Sequence, residues 1–221
     1  MTDSQQGVKA FDRIRACTDQ GSGNVKIRCQ YVPAGQSPDD TEAYPIVPVR
    51  LTSFANASTV PLRVLFDGGI MYLGSKVDEH LRRFPHLSDR VIEQFKLVLC
   101  PEYSNEDVVG RVYRGLGMAQ GDLGEIQVLY THLFDFCPTE IRAFMRSFYR
   151  GLDKADKEWD AMSIELQITV PVMWGGAARG VMVNAAKDAG FTDIVLRSEP
   201  LCAAARYVYQ EYEHRRVKVL S

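Results

Sequence analysis

The sequence contains too few closely spaced cysteines and histidines to predict a zinc site or a disulfide framework. Its five cysteines are scattered, odd in number, and include no C-x-x-C pair, and its four histidines form no H-E-x-x-H or similar ligand pair. Structural metal sites need thiolates or imidazoles at such close spacings. We therefore expect no metal centre of this kind, and we expect reduced and mostly buried thiols.

The chain also lacks a large charge imbalance and a long apolar run. Its formal net charge is -2 at pH 7, so it lacks the excess of basic residues that is typical of nucleic-acid-binding proteins. No apolar stretch approaches the length that spans a bilayer. Residues Met1–Gln6 have neither the basic start nor the apolar run of a signal peptide. We expect a cytoplasmic protein that binds neither nucleic acid nor membrane.

What the sequence does contain is the composition of a globular α/β protein. Of its 221 residues, 46% are hydrophobic and 24% are charged, enough for one good core or for two small subdomains that share one. The predicted elements run as strands, then helices, then strand–helix–strand–helix. That order indicates the mixed α/β class.

The first third of the chain is predicted to hold a helix followed by strands. Spacing predicts a helix over 8–18 that ends at Gly21-Ser22-Gly23. Alternation from Val25 to Gln30 predicts a strand with one solvated face, and the proline-rich stretch 33–45 predicts a loop. Three further strands are expected, the last two joined by a hairpin turn at Asp67-Gly68-Gly69: Val47–Phe54, Arg63–Phe66 and Ile70–Leu73.

The middle of the chain is predicted to be helical. One helix begins at Ser75, and a second, after a Ser88 N-cap, carries Val91, Phe95 and Leu99 on one face. Later helices are expected after an Asn105 cap, around Ile126–Leu133 and around Ile141–Phe148. The charged stretch Asp153–Asp160 is expected to be solvated.

The most specific pattern lies in the closing part of the chain. Thr169-Val170-Pro171 is followed by Trp174, by the helical Ala185–Gly190, and by Ser198-Glu199-Pro200 ahead of Ala203–Ala205. This spacing is similar to that of the ATPase domain of seventy-kilodalton heat-shock chaperones. It most resembles the divergent branch that carries Trp after Thr-Val-Pro. A weaker, ordered similarity extends over residues 45–212.

The resemblance implies a ribonuclease-H-like, actin-like ATPase lobe I with a helical insert at about 104–160. It divides the chain into a variable segment, residues 1–45, and a lobe-I-like domain, residues 46–221. It places Lys96 where the family has its catalytic lysine and Glu199 where the family has an acid near the metal. From the residues alone, Lys96 also fits a helix-surface lysine, and Glu199 also fits a helix cap.

Two parts of the family's nucleotide site are expected to be missing. The family grips ATP with two Gly-rich hairpins from opposite lobes, the first of them an Asp-x-Gly-Thr-Thr motif, and residues 24–55 contain no such motif. The chain stops at Ser221, about where lobe II would begin. We therefore expect a truncated relative that is not an ATPase by itself.

Two further groups of residues are candidate sites. Asp39, Asp40 and Glu42 match the D-D-x-E type of motif that holds Mg²⁺ and a diphosphate. They also fit a solvated loop, and Mg²⁺ is the only cofactor that we consider, conditional on this motif. Helical spacing makes a second group either filled core or the lining of an apolar pocket: Tyr130, Phe134, Phe144 and Phe148.

Three functions are compatible with these features. The first is a small-molecule or protein binding module without ATPase activity, which self-associates or binds a partner over the surface that lobe II would cover. The second is a nucleotide-independent cyclase of the terpene-cyclase or pericyclase type. The third is half of a split ATPase. Whether the chain is an enzyme stays open at this point.

Overall fold

The computed structural model describes residues 11–21, 23–39, 43–54, 56–100, 106–117 and 121–207. It contains nine strands, namely β1 (Arg13–Gln20), β2 (Asn24–Val32), β3 (Val47–Pro48), β4 (Thr59–Pro61), β5 (Arg63–Asp67), β6 (Ile70–Leu73), β7 (Ile92–Glu93), β8 (Ser163–Val170) and β9 (Asp193–Ser198). Its α-helices are α1 (Ser75–Arg83), α2 (Glu106–Leu116), α3 (Leu123–Asp135), α4 (Cys137–Phe148), α5 (Asp156–Ala161), α6 (Gly176–Asp188) and α7, residues 199–207. Three 3-10 helices cover Thr52–Phe54, Pro85–Arg90 and Phe95–Leu99.

The main sheet has six strands in the order β3-β2-β1-β8-β9, with β4 also paired to β2. Strands β1 and β2 are antiparallel, whereas β1, β8 and β9 run parallel to one another. A crossover helix, α6, joins β8 to β9, as a parallel pair requires. A second, three-stranded sheet has the order β6-β5-β7. The mixed α/β class predicted from the sequence is therefore confirmed.

The first element of the chain is a strand, so the predicted helix over 8–18 was wrong. Ile14, Ala16, Thr18 and Gln20 alternate along β1 and are all buried. A period of two marks a strand. The apparent helical spacing depended on Phe11, which is 54% exposed, and on Val8, which lies outside the described residues. The segment expected to be variable thus supplies the central strand of the main sheet.

Two other predicted elements are replaced by shorter ones. The strand expected over Val47–Phe54 keeps only its first two residues, and Thr52–Phe54 forms a 3-10 helix. The helix expected to carry Val91, Phe95 and Leu99 is split into a 3-10 helix, β7 and a second 3-10 helix. Between the last two, Gln94 adopts the left-handed conformation, with φ 56°, which a continuous helix does not permit.

Most of the remaining elements agree with the prediction. Strand β2 buries Val25 and Ile27 and exposes Lys26 and Arg28. The β5–β6 hairpin forms around Gly68 and Gly69, which have φ of 56° and 78°. Helices α1, α2, α3, α4 and α6 lie where the periodicity placed them, although Asn105 lies outside the described residues.

The charged stretch 153–160 differs from the prediction, because it contains most of helix α5. Trp159 in this helix is only 2% exposed. Its ring centroid lies 5.7 Å from that of Tyr31. A single large aromatic side chain thus anchors an otherwise charged and exposed segment to the end of the main sheet.

The main core lies between the sheet and helices α3 and α6. The apolar face of the sheet, including Ile164, Leu166 and Ile168, forms one cluster with Leu129 and Met182 from these helices. Burial of this surface is the dominant favourable contribution to folding. Within the described ranges, no helix is both long enough and apolar enough to cross a bilayer.

Glu140 connects α4 to the 3-10 helix at Thr52–Phe54. Its carboxylate accepts hydrogen bonds from the backbone N–H and the hydroxyl of both Thr52 and Ser53. Burial alone would raise the pKa of Glu140, but these four hydrogen bonds outweigh it and hold the pKa below its ordinary value.

Candidate functional site

Lys96 is a buried cation at the carboxyl ends of the parallel strands. The residue is 7% exposed and belongs to the 3-10 helix Phe95–Leu99. Its Nζ donates hydrogen bonds to the backbone carbonyl of Gln20, the last residue of β1, and to Glu199 Oε1 at 2.5 Å. A buried ammonium is costly unless it is paired and hydrogen-bonded. The structure therefore excludes the helix-surface interpretation of Lys96.

Glu199 approaches Lys96 from the other side of the sheet. It directly follows β9 and is the first residue of α7. Its side chain is 34% exposed, whereas that of Lys96 is 9% exposed. A carboxylate at this position is favoured by the helix dipole. Glu199 therefore lies in the first turn of a helix and also pairs with Lys96, whereas its place as an acid near a metal stays a prediction.

A glycine-rich hairpin stands next to this ion pair. β1 ends at Gln20 and β2 begins at Asn24, and the N–H of Gly21 donates to Asn24 O at 2.9 Å. In the sequence Asp19-Gln20-Gly21-Ser22-Gly23, the first two residues end β1, Gly21 and Gly23 lie between the strands, and Ser22 lies outside the described residues. This sequence shares Asp, Gly and a hydroxyl residue with the Asp-x-Gly-Thr-Thr motif. The motif was expected within residues 24–55, and the hairpin lies before them, next to a segment that was predicted to be a helix.

Asp19 of this hairpin is exposed, and its carboxylate faces a neighbouring strand. Thr169 Oγ1, on β8, lies 3.4 Å from Asp19 Oδ1 and 3.3 Å from the carbonyl oxygen of Thr18. The signal that would have located the hairpin is the alternation of residues 13–20 followed by a Gly-Ser-Gly turn.

The loop after β8 lies at the same edge of the main sheet and contributes Trp174. Trp174 is 4% exposed, and the centroid of its ring lies 5.6 Å from Lys96 Nζ, within the range of a cation–π interaction. Arg179 Nε donates to the carbonyl oxygen of Trp174 at 2.9 Å. Helix α6 then begins after Gly175 without a side-chain cap. Its first backbone N–H groups are therefore free of side-chain acceptors at the same edge.

Taken together, the carboxyl ends of β1, β8 and β9 carry one buried cation, the two carboxylates of Asp19 and Glu199, a glycine hairpin and the amino ends of two helices. Backbone N–H groups at hairpins and helix N-termini attract anions. In open α/β sheets, ligands bind in the crevice outside the carboxyl ends of the strands. We refer below to Asp19, Lys96, Trp174 and Glu199 with the turns beside them as the edge site.

Two cysteines near the edge site are not activated nucleophiles. Cys17 on β1 and Cys202 on α7 are free and half-buried. Burial, with a smaller effect of the neighbouring Cys202 and Asp19, raises the pKa of Cys17 to about 11. Burial also raises the pKa of Cys202. Because the thiolate is the reactive form, these thiols stay protonated at neutral pH. The other three cysteines are free and buried.

Asp39, the described residue of the D-D-x-E motif, is not brought to the edge site. Asp39 lies in the 33–39 loop, where its backbone N–H donates to Ser37 Oγ at 3.2 Å, and it is exposed. Asp40 and Glu42 lie outside the described residues. Among the residues described, no three His, Cys, Asp or Glu side chains are grouped to hold a metal ion.

The four aromatic residues proposed to line a pocket separate into two pairs. Tyr130 and Phe134 are 0% and 1% exposed and belong to the filled main core. Phe144 and Phe148 stack on each other with centroids 5.9 Å apart, and Phe148 is 48% exposed. For Tyr130 and Phe134 the core alternative holds.

Sequence reasoning missed a polar cluster at the opposite, amino ends of β1 and β8. Asp12 accepts hydrogen bonds from Tyr31 Oη at 2.8 Å, from the backbone N–H of Ala34 at 2.7 Å and from Lys154 Nζ. Burial would raise the pKa of Asp12, but these three donors lower it overall. Burial also raises the pKa of Tyr31 to about 12. Because the carboxylate of Asp12 is paired with the ammonium of Lys154, we interpret this cluster as stabilising the fold and not as transferring protons.

An open groove of about 390 Å³ adjoins this cluster and is lined in part by Phe11, Lys154, Glu158 and Met162. No simple sequence signal joins Asp12 to Lys154, because 142 positions separate them.

Comparison with known proteins adds no relative to these observations. No model of a known protein family matches the chain, and no curated protein matches it significantly.

Proposed function

We propose that the chain is a binding module that takes a phosphate-bearing small molecule at the edge site and does not hydrolyse ATP by itself. We further propose that its fold is the lobe I of actin-like ATPases that the sequence resembles. The strand order supports this, because an antiparallel β3-β2-β1 set continues into the parallel strands β8 and β9.

The observation that carries the proposal is the burial of Lys96 at the carboxyl edge, next to a glycine hairpin. A lysine costs free energy when it is removed from water. Its placement between the last carbonyl of β1 and Glu199 keeps a positive charge at the sheet edge where the hairpin and helix α6 begin. Phosphate is the ligand group for which such a combination is best suited.

Binding without turnover is proposed because the charge of Lys96 is already matched. Phosphoryl transfer requires positive charge aimed at the transferring group. Here the ammonium is held 2.5 Å from Glu199 Oε1, which reduces the charge it can offer to a phosphate. An anion would have to approach from the solvent side of the hairpin and of the amino end of α6, because the exposed carboxylate of Glu199 repels it.

The tryptophans provide a direct test. The chain has two, Trp159 and Trp174, and only Trp174 belongs to the edge site. In a Trp159→Phe variant, Trp174 emission should therefore change on titration with sodium pyrophosphate or with ADP, each with and without Mg²⁺. Lys96→Met in that background should abolish the change, whereas Lys157→Met, an exposed lysine on α5, should leave it intact.

If none of these compounds alters Trp174 emission or gives heat in calorimetry, the binding proposal is wrong. Phosphate release from ATP above the background rate of buffer would contradict the absence of turnover, provided that Lys96→Met removes it.

A second candidate is one half of an ATPase whose remaining parts come from another polypeptide. The Asp19 hairpin and the meeting of Lys96 with Glu199 favour it. So does α7, because Leu201 and Tyr207 are 67% and 65% exposed and offer apolar surface to a partner or a second copy. Light scattering at micromolar concentration should show self-association that Leu201→Ser with Tyr207→Ser reduces; a monomer would count against pairing with a second copy.

A further inference from the structure

The loop that follows β8 makes a tight turn with an unusual composition. The N–H of Trp174 donates to Pro171 O at 3.3 Å, which places Val172 and Met173 at the two central positions. Turn centres favour Gly, Asn, Asp and Ser, because these residues tolerate the backbone and are solvated. Val172 and Met173 are instead apolar, and they are 60% and 51% exposed.

The turn is held firmly, so this exposure is a fixed property of the fold. Trp174 is buried against Lys96, and Arg179 donates to the carbonyl oxygens of Trp174 and Val172 at 2.9 and 3.5 Å. With its last residue buried and its carbonyls bonded, the turn directs Val172 and Met173 outward. The backbone of the turn does not require apolar residues at these two positions, and their side chains are not part of the buried core. Residues that do not fit their local structure occur most often at functional sites.

The exposed pair is close to the groups that would hold a phosphate. Met173 and Val172 precede Trp174 by one and two residues, so their Cα atoms lie within about 8 Å of that of Trp174 along the chain. The ring of Trp174 is itself 5.6 Å from Lys96 Nζ. A diphosphate ester bound at Lys96 is long enough for its organic group to reach this turn.

We infer that the ligand of the edge site is a phosphate ester with an apolar or aromatic group, which covers Val172 and Met173 while its phosphates occupy the Lys96 end. The inference rests on the proposed function and names the class of ligand. A nucleoside and a prenyl chain both supply such a group, and their shared chemistry is a flat or flexible apolar body joined to a diphosphate.

The test compares three probes on the Trp159→Phe protein: sodium pyrophosphate, ADP and geranyl diphosphate, with Trp174 emission as the readout. At least one ester should bind about tenfold more tightly than pyrophosphate, as expected when a few apolar carbon atoms leave water. Val172→Ser with Met173→Ser should remove this advantage and leave pyrophosphate affinity unchanged. The ester that loses affinity identifies the source of the apolar group.

Val128→Ser, at an exposed position on α3, is the matched control and should change nothing. The single variants Val172→Ser and Met173→Ser should each give part of the loss, which keeps the test valid if the double variant unfolds.

Two outcomes must be distinguished. If no probe binds, the proposed function fails and this inference fails with it. If pyrophosphate binds but neither ester binds more tightly, or the advantage survives in the serine variants, the inference alone is wrong. Conversion of a dimer to a monomer by these variants at unchanged ester affinity would also overturn it.

Discussion

Lys96 Nζ lies 2.5 Å from Glu199 Oε1, although 103 positions separate the two residues in the chain. One comes from a short 3-10 helix and the other from the start of α7, and they meet beyond the last residue of β1. Because the lysine is buried and the glutamate is partly exposed, only the carboxylate of this ion pair is in contact with solvent.

The first prediction concerns the energetic coupling of this pair. Glu199→Gln should destabilise the protein, because it leaves the buried ammonium with neutral partners only, the Gln20 carbonyl and the amide oxygen of the new side chain. Lys96→Met with Glu199→Gln should cost less than the sum of the two single variants, with a coupling energy of about 1–2 kcal/mol. Urea denaturation of the four proteins measures it. The exposed Arg146–Asp156 pair at 3.4 Å is the control, with expected coupling near zero, and equal coupling in both pairs would contradict the prediction.

The second prediction concerns the side chain of Gln20, which is 1% exposed and whose two amide atoms have no hydrogen-bond partner within the described ranges of the chain. Gln20→Met keeps the shape and removes the unsatisfied groups, so it should raise the free energy of unfolding by about 1 kcal/mol. Gln36→Met, at an exposed loop position, should change it by much less. Thermal melting of both variants decides the matter, and a lower melting temperature for Gln20→Met would show that its amide is satisfied in solution.

The third prediction uses the lowered pKa of Asp12. A carboxyl group with a depressed pKa in the folded state stabilises the fold above its unfolded pKa, and this contribution disappears as the pH falls through the folded pKa. Asp12→Asn should therefore cost about 1–2 kcal/mol at pH 7. The difference from wild type should shrink only below about pH 4. Denaturation at several pH values tests this, with Asp160→Asn as the exposed control; a cost that does not vary with pH would show that the charge is not involved.

The fourth prediction compares two glycines with positive φ. A Cβ on Gly74, φ +60°, would lie 2.8 Å from Val60 Cγ1 and 3.2 Å from the Phe54 ring, whereas one on Gly35, φ +75°, would meet nothing within 4 Å. Both substitutions by Ala strain the backbone by about 1 kcal/mol, but only Gly74→Ala adds a steric clash, of about 1–3 kcal/mol. Chemical denaturation should rank Gly74→Ala as clearly the more destabilising, and equal costs would mean that Val60 moves freely.

The fifth prediction concerns Glu140. One oxygen of Glu140 accepts two hydrogen bonds from Thr52 and the other accepts two from Ser53. Glu140→Gln replaces one of these oxygens by an NH₂ group that cannot accept, so it should cost about 2–3 kcal/mol. Glu125→Gln, at an exposed position on α3, should be nearly neutral. Because the pKa of Glu140 is held below its ordinary value, the cost should be present at pH 7 and decline in acid. Guanidinium unfolding at pH 7 and in acid measures both effects.

The elements that the sequence predicted best are those with a clear period and clean boundaries. β2 shows its alternation because one face is solvated, and α6 has glycines at both ends. The failure at β1 has a physical cause, since both faces of a central strand contact protein and Arg13 is buried beside Glu165. The predicted helix over Val91–Leu99 failed because Gln94 turns the chain, which no propensity indicates.

The edge site was predictable only in part. Lys96 and Glu199 could be located through the resemblance, because each lies in a recognisable local motif. Their contact, and the approach of Asp19 to Thr169, depend on the parallel register of β1 and β8. Distant pairing of this kind leaves no local trace in the sequence, and so the glycine hairpin was overlooked.

That register also determines when the central strand can be completed during synthesis. Thr18 pairs with Ile168, so β1 leaves the ribosome long before its parallel neighbour exists. At ordinary translation rates the delay is roughly 10–30 s. During that time the β1–β2 hairpin has an unpaired strand edge. Charged side chains on these strands, Arg13, Arg15, Lys26 and Arg28, disfavour pairing of that edge with other chains. Glu199 emerges later still, so its contact with Lys96 can form only when most of the chain has been synthesised.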